Sequence, residues 1–507
     1  MHNLPVTKRL FQREWAILGG LLLAGLGLRL YLLTNKLLGI GSDEAVVGLM
    51  ARHILQGERP FFYYGQSYYG PLDAYLTSLL FAVFEPNDFA LRIVPLAASL
   101  LFVIVIYCLG KALYSRQVGL WGAAYVAIAP AFLLVRGLKG DAAYSLVLLI
   151  SALALLVFYR LMQRFSYWRL GGLIGLCVLG LWVFPLMLYT IGAIGLTWVF
   201  MRLDARRKSR PAALSTTIRQ RPLWLGMVAV GVATLVWLGR DQMAVQNFLS
   251  GARLFMVNAL PILMGFLPPV EGYDHFLQLI QPYPPLVTGV VVVLCGCFLV
   301  FAIGAGVARF RQGNRLLFVY LTLTMLVFGL FFSLINITPS IFSFPRYLFP
   351  LYCTIPLWVD AAMRLFRNRR WLGALAGVVV FSLNIFSNLA FLVVTPPAPE
   401  VLSWVESQPT TQYVYIHYLS GYWLAFESQE KAIPFIAEGI QPGYNRYEPY
   451  ADQVRSASSP VYALPTGSRE AGDLTAILKE RGIEYQVEQA GAYQLFHDLS
   501  APIQIIP

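Results

Sequence analysis

Apolar residues run almost unbroken along most of this chain, in blocks separated by short basic loops rather than in the alternating patterns of a soluble fold. Runs long enough to cross roughly 30 Å of hydrocarbon as a helix fall at Trp15–Thr34, Leu91–Gly110, Val118–Val135, Ala142–Tyr159, Pro222–Gly239, Leu286–Ala308, Leu316–Ile335, Tyr347–Met363 and Trp371–Val394. Leu170–Met201 is too long for one crossing and is interrupted at Phe184-Pro185, so it reads as two short helices, which predicts about eleven spans in all. Between the first two spans, residues 35–88 form an unusually long loop with a helical period of its own. Val46, Leu49, Met50 and Ile54 share one helical face and leave Glu44, Arg52 and Glu58 elsewhere, which predicts an interfacial helix on the membrane surface. Pro71–Phe84 predicts a second apolar helix, too short to span, and the aromatic, glycine-rich Pro60–Gly70 joins the two. Its rings suit either an interfacial aromatic belt or the rim of a sugar or lipid site.

After Pro396-Pro397-Ala398-Pro399 the pattern changes. Short β-like runs at Gln412–Ile416, Lys431–Ile436, Val461–Leu464, Ile483–Val487 and Ala492–Phe496 alternate with helical stretches such as Arg469–Arg481. The expected fold class is therefore mainly α, a polytopic membrane helical bundle over residues 1–394, followed by a small α/β domain over 395–507 with some parallel pairing. That domain shows no Gly-rich phosphate loop and no metal-spaced histidines, so no chemistry is expected of it.

Composition agrees with the membrane reading: 58% of residues are hydrophobic and 13% charged, the mean hydropathy is +0.62, and a soluble protein would be about 25% charged. The net charge of +12 would suggest nucleic acid in a soluble protein, but here it marks sidedness and predicts no nucleic-acid partner. Lys8, Arg9 and Arg13, with the loops Lys111–Arg116, Arg160–Arg169, Arg202–Arg221, Arg309–Arg315 and Arg364–Arg370, put most of the basic residues on one side. The positive-inside rule makes that side cytoplasmic, with the first span as a retained signal anchor and the acidic tail, reached after an odd number of crossings, outside. The cysteines all lie within spans and predict no extracytoplasmic disulfides.

Candidate chemistry gathers at the outer ends of the spans. Asp43, Glu44, Asp73 and Asp141 supply carboxylates; Arg136, Lys139 and Arg346 supply cations that the positive-inside bias disfavours there and a phosphate headgroup would explain. Each acid also has a structural reading, since Asp43 and Glu44 behind Ser42 fit the first turn of a helix, where the dipole favours negative charge. Arg29, inside the first span, could snorkel outward or pair with an acid.

The chain resembles the GT-C type membrane glycosyltransferases, in particular the protein mannosyltransferase and lipid A aminoarabinose transferase branch. The resemblance rests on Gly41-Ser42-Asp43-Glu44-Ala45 after the first span, Tyr64-Gly65-Gln66-x-Tyr68-x-Gly70-Pro71-Leu72-Asp73, Leu91-Arg92-Ile93-Val94-Pro95 entering the second span, and Arg346-Tyr347-Leu348-x-Pro350 entering a late one. It implies transfer of a sugar, with inversion, from a polyprenyl-phosphate donor to a lipid, glycan or protein acceptor at the outer face of a bacterial cytoplasmic membrane. Asp43 would be the general base, Glu44 an assisting or orienting group, Asp141 the second acidic position, and Arg346 the phosphate holder. Tyr347, Tyr68 and Asp73 are further substrate-binding candidates from the same motifs, and Lys139 and Arg136 from position alone. The lysine before paired prolines typical of the aminoarabinose branch is missing, as Tyr69-Gly70-Pro71-Leu72 stands there, so neither sugar nor acceptor carries over. A divalent metal is possible in such enzymes; Asp43 and Asp141 offer hard oxygens, but Asp-x-Asp spacing is absent and the site is read without one. A lipid-linked sugar flippase is the alternative, and would call for ionisable groups near the midplane or an internal repeat.

Overall fold

A computed structural model of the chain describes residues 4–35, 38–141, 143–208, 260–265, 285–334, 345–389, 396–438, 441–501 and 503. The predicted span Pro222–Gly239 and nearly all of the loop Asp241–Pro285 lie outside the described residues, as does most of Asn336–Arg346.

Among the described residues, five helices are long and apolar enough to cross a membrane: Gln12–Thr34 within α1 (Leu4–Thr34), α4 (Asp88–Leu113), α7 (Tyr144–Gln163), Gly289–Arg311, and Arg370–Leu389. Leu23, Val300 and Val378 stand exposed on them, as lipid contact requires and aqueous solvent would penalise. The predicted interruption at Phe184-Pro185 is present, separating α8 (Tyr167–Val183) from α9 (Met187–Lys208). Two spans differ from expectation. Tyr347–Met363 begins as a 3-10 helix over Pro345–Thr354 before turning α-helical at Ile355–Leu365, with Pro350 inside the tighter segment. Val118–Val135 is a broken pair, α5 (Arg116–Ala127) and α6 (Ala131–Leu138), bent by 71°.

Side chains far away in sequence sustain that break. Pro130 has no N–H to offer Val126, and the Ala131 N–H donates to Ser387 Oγ at 3.1 Å instead of to Ala127. Arg29 supplies what is missing: Nη2 donates to Val126 O and Nη1 to Ala127 O, both at 3.1 Å, while Asn384 and Asn388 serve Ile128 O and Ala129 O at 2.8 and 2.9 Å. Arg29 therefore does not snorkel, and among the described residues it pairs with no acid; it is fully buried, with Nε on Ser99 Oγ at 2.8 Å. Its helix comes close enough because Gly25 faces Ala127, where a Cβ would sit 3.3 Å from the Ala127 Cα. Arg29→Leu should cost about 3 kcal/mol by stranding buried carbonyls, read as a lowered melting temperature in detergent; an unchanged melt would show that the break holds without it.

The basic loops converge at one end of the bundle, where Lys111 and Arg116 share Glu14 and Arg309 and Arg364 share Asp360. At the other end lie α2 (Ser42–Leu55), α3 (Leu72–Phe81) and the C-terminal α/β unit. That unit holds a six-stranded sheet, order β3-β2-β1-β4-β6-β5, in which β1 (Gln412–Ile416) runs parallel to β2 (Ala432–Glu438) and to β4 (Val461–Pro465). β3 (Gln441–Pro442), β5 (Gln486–Ala490) and β6 (Tyr493–His497) are antiparallel, and β5 begins three residues later than the apolar pattern suggests. Helix α2 is not an interfacial helix with one wet face, because the helix Tyr418–Glu427 packs on it and Ser42 and Glu44–Ile54 are all buried. Gly48 makes this approach possible: a Cβ there would fall 2.3 Å from the Phe426 ring. Arg52, on the face expected to be solvated, donates to Phe426 O at 2.9 Å and lies over the Phe426 ring.

Candidate active site

Asp43 and Glu44 are consecutive in the first turn of α2, so their side chains leave the helix about 100° apart. The structure puts them in opposite environments. Glu44 points into the bundle, 1% exposed, where Arg92 of α4 grips it with two parallel bonds, Nε to Oε1 and Nη2 to Oε2, each 2.8 Å. The Gly140 N–H adds a third at 3.2 Å, and Arg92 also donates to Leu38 O and Gly39 O. Burial opposes ionisation of Glu44, but the Arg92 guanidinium outweighs it and holds the carboxyl below its ordinary range. With both oxygens committed, Glu44 anchors the start of α2 to α4 and to the loop carrying Lys139 and Asp141.

Asp43 keeps a side chain 41% exposed. Its Oδ1 accepts from the Tyr418 hydroxyl at 2.6 Å and from Arg446 Nη2, both from the C-terminal unit. The Tyr63 hydroxyl donates to its backbone carbonyl at 2.6 Å, and Ser42 Oγ donates to Tyr418 O at 2.5 Å. The tail, of which the sequence leads one to expect no chemistry, thus sets two side chains against the leading catalytic candidate. Neither Tyr418 nor Arg446 carries a local motif, and no sequence signal links residues separated from Asp43 by the whole bundle.

The loop between α6 and α7 brings Arg136, Lys139 and Asp141 to the same place. Arg136 pairs with Asp141, whose Oδ1 is buried without a hydrogen-bond partner. Burial raises Asp141 despite Arg136 and Lys139. Lys139 is buried as well, which pushes its ammonium down to about 8 against the pull of Glu44 and Asp141. Arg346 has its guanidinium over the Tyr347 ring and Nη2 3.3 Å from the Tyr347 hydroxyl, within electrostatic reach of Asp43. Tyr68 is exposed, edge-on to Tyr69. The rest of the aromatic turn is a seat for the tail: Gly65, at φ +68°, receives the Tyr444 hydroxyl on its carbonyl, and Tyr64 stacks on Tyr447.

Asp73 is withdrawn from solvent. It is 3% exposed, with Oδ1 accepting from the Ala74 N–H at 2.9 Å and Oδ2 unpartnered, and burial raises it to about 7. A proton is thus held in the folded protein that the unfolded chain gives up near pH 4. Stability from this group falls as pH rises from about 4 through 7 and is flat above. Asp73→Asn should accordingly raise the melting temperature at pH 8 and leave it near wild type at pH 4; the same shift at both would disprove the burial penalty.

Among the described residues, no group of three or more His, Cys, Asp or Glu side chains is disposed to hold a metal ion. Asp43 and Asp141 each face a cation instead.

A helical membrane bundle, a long first loop with an acidic pair, and an α/β unit seated on that loop make up a polytopic membrane protein. The model of the dolichyl-phosphate-mannose-protein mannosyltransferase family matches residues 69–237, a stretch that includes Asp73, Arg92, Arg136, Lys139 and Asp141. ArnT from Cupriavidus metallidurans bound to undecaprenyl phosphate is similar with a TM-score of 0.56 at 12% identity, covering 97% of this chain and 99% of that one. Its apo state gives 0.54 at 14%, covering 96% and 99%. The archaeal oligosaccharyltransferase AglB from Archaeoglobus fulgidus, in complex with an inhibitory peptide and a dolichol-phosphate, gives 0.50 at 13%, covering 95% of this chain and 74% of that one. Identities this low show the shared fold alone. No curated protein matches it in sequence.

Proposed function

We propose that this protein transfers a sugar, with inversion, from a polyprenyl-phosphate donor to an acceptor hydroxyl at the outer face of the membrane, with Asp43 as the general base. The observation that carries the reading is the contrast within the acidic pair: Glu44 is sealed and doubly bonded, whereas Asp43 keeps a partly exposed carboxylate within electrostatic reach of Arg346.

In the proposed step the acceptor oxygen attacks the anomeric carbon as the bond from that carbon to the donor phosphate oxygen breaks. The hydroxyl proton passes to Asp43, and the departing electron pair stays on the polyprenyl phosphate. A phosphate is already a good leaving group, so the site needs one base and fixed positive charge rather than an acid to protonate the leaving oxygen. Arg346 with Tyr347, and Arg136 and Lys139 on the facing loop, supply that charge; Tyr68 offers a face to the sugar. Asp141 holds Arg136 in place, and Glu44 acts at a distance by fixing α2. Convergence of the basic loops on the opposite end of the bundle supports placing the site outside the cytoplasm. A transporter would use an ionisable group within the bilayer, but Arg29 is engaged by the helix break.

The test is to incubate purified protein with a panel of polyprenyl-phosphate sugars and hydroxyl acceptors and follow both free polyprenyl phosphate and sugar-bearing acceptor. Acceptor-dependent release from at least one donor is expected. Movement of intact donor across vesicles without cleavage would replace this reading by the flippase.

A further inference from the structure

Arg446 is an unusual arginine. It is 7% exposed, and among the described residues its buried Nε and Nη1 have no hydrogen-bond partners, although a guanidinium normally demands them. Three aromatic rings surround it instead: Tyr63, Tyr418 and Tyr444 lie 5.5, 5.5 and 5.6 Å from its charged carbon. Aromatic faces stabilise a cation without neutralising it. The one carboxylate it meets among the described ion pairs is Asp43. Its backbone is fixed as firmly, because its N–H donates to the Tyr422 hydroxyl at 2.6 Å. The preceding Asn445 pairs its side-chain amide with both the N–H and the carbonyl of Ile436 in β2. Tyr418 follows directly beyond the carboxyl end of β1, the edge where open α/β sheets place functional groups.

Among the described residues both side-chain contacts of Asp43 fall on Oδ1, which leaves Oδ2 as the oxygen available to a proton donor. A carboxylate free to rotate about its last torsion would present either oxygen in a broad range of directions; two donors on one oxygen remove that freedom. We infer that the C-terminal α/β unit is part of the active site, with Arg446 and Tyr418 as positioning residues that hold the Asp43 carboxylate so that Oδ2 faces the acceptor hydroxyl. The inference rests on Asp43 being the base. It makes catalytic competence depend on docking of the tail, which a membrane bundle acting alone would not require.

The full-length protein in detergent or nanodiscs is assayed with the donor found active for wild type. Arg446→Met is expected to lower kcat on the order of 10²-fold, as misplacement of a reacting group does, with KM for the donor unchanged. Arg446→Lys should return part of that loss, and Tyr418→Phe should produce a smaller one. In an Asp43→Asn background, Arg446→Met should cost nothing further, because its effect passes through Asp43. Phe426→Leu, in the same docking surface, controls for a loosened tail and should lower kcat by less than Arg446→Met does. Arg446→Met at wild-type rate, faster than wild type, or no slower than Phe426→Leu would overturn the assignment, as would additivity with Asp43→Asn. If wild type itself releases no polyprenyl phosphate, the proposed function fails; if wild type is active and Asp43→Asn is not, a failure at Arg446 belongs to this inference alone.

Discussion

Asp43→Asn is expected to lower kcat for sugar transfer by about 10²- to 10⁴-fold, the usual worth of a positioned general base, while donor KM and the melting temperature stay near wild type. The substitution is informative because it changes so little else. Asparagine keeps an oxygen where Oδ1 accepts from Tyr418 and Arg446, and the Tyr63 bond goes to the backbone carbonyl. What is lost is the capacity to take a proton. The Arg446 guanidinium loses its charge partner, so a modest change in stability is compatible with the reading. A kcat within a factor of a few of wild type, in a protein that still cleaves donor, would move the base to another residue.

Arg92→Leu is expected to have the largest effect on stability. Removing the guanidinium leaves Glu44 1% exposed without its counter-charge, with the Gly140 N–H as its remaining donor among the described residues and Leu38 O and Gly39 O also without theirs. Breaking a buried pair from one side costs about 3–5 kcal/mol, enough to remove much of the folded population of a marginally stable protein. The double variant Arg92→Leu with Glu44→Leu should recover most of that loss, since an apolar pair of similar volume carries no stranded charge. Thermal unfolding of the two single variants and the double one reads the coupling directly. If the double variant melts as low as Arg92→Leu, the two orphaned carbonyls rather than the ion pair dominate. The consequence for function is spatial: Glu44 links α2, α4 and the Lys139–Asp141 loop, so Arg92→Leu should lose activity in proportion to lost fold.

Several features of the site were legible in the residues. Asp43, Asp141, Arg136, Lys139 and Arg346 were marked by charge at span ends, and the structure brings them within electrostatic reach of one another. Asp73 was marked by motif, but it is buried. The pair Asp43-Glu44 could not be divided by sequence, because both fit the first turn of a helix equally; the 100° between their side chains decides which meets Arg92. Arg92 stood in a quoted motif without a role. Its partner lies 48 positions away, and no local pattern reports such a contact.

The helix break after α5 shows the same division on the fold side. Pro130 in the sequence forbids one hydrogen bond, yet Val118–Val135 is apolar enough to read as a single span. The 71° bend survives in a low-dielectric interior because Arg29, Asn384, Asn388 and Ser387 arrive to satisfy the freed backbone.

The sequence by itself determined that this is a polytopic membrane protein with basic loops on one side, acids and cations at the other ends of its spans, and an α/β tail. Those properties follow from hydrophobic run length, charge counting and period, which are local or additive along the chain. Only the tertiary structure decided that Glu44 is an anchor and Asp43 the open carboxylate, that Arg29 is a helix-break partner, and that Arg446 and Tyr418 reach the site. Each of these depends on which long-range partner desolvates or satisfies a given polar atom, and that is fixed when the elements pack, not when they form.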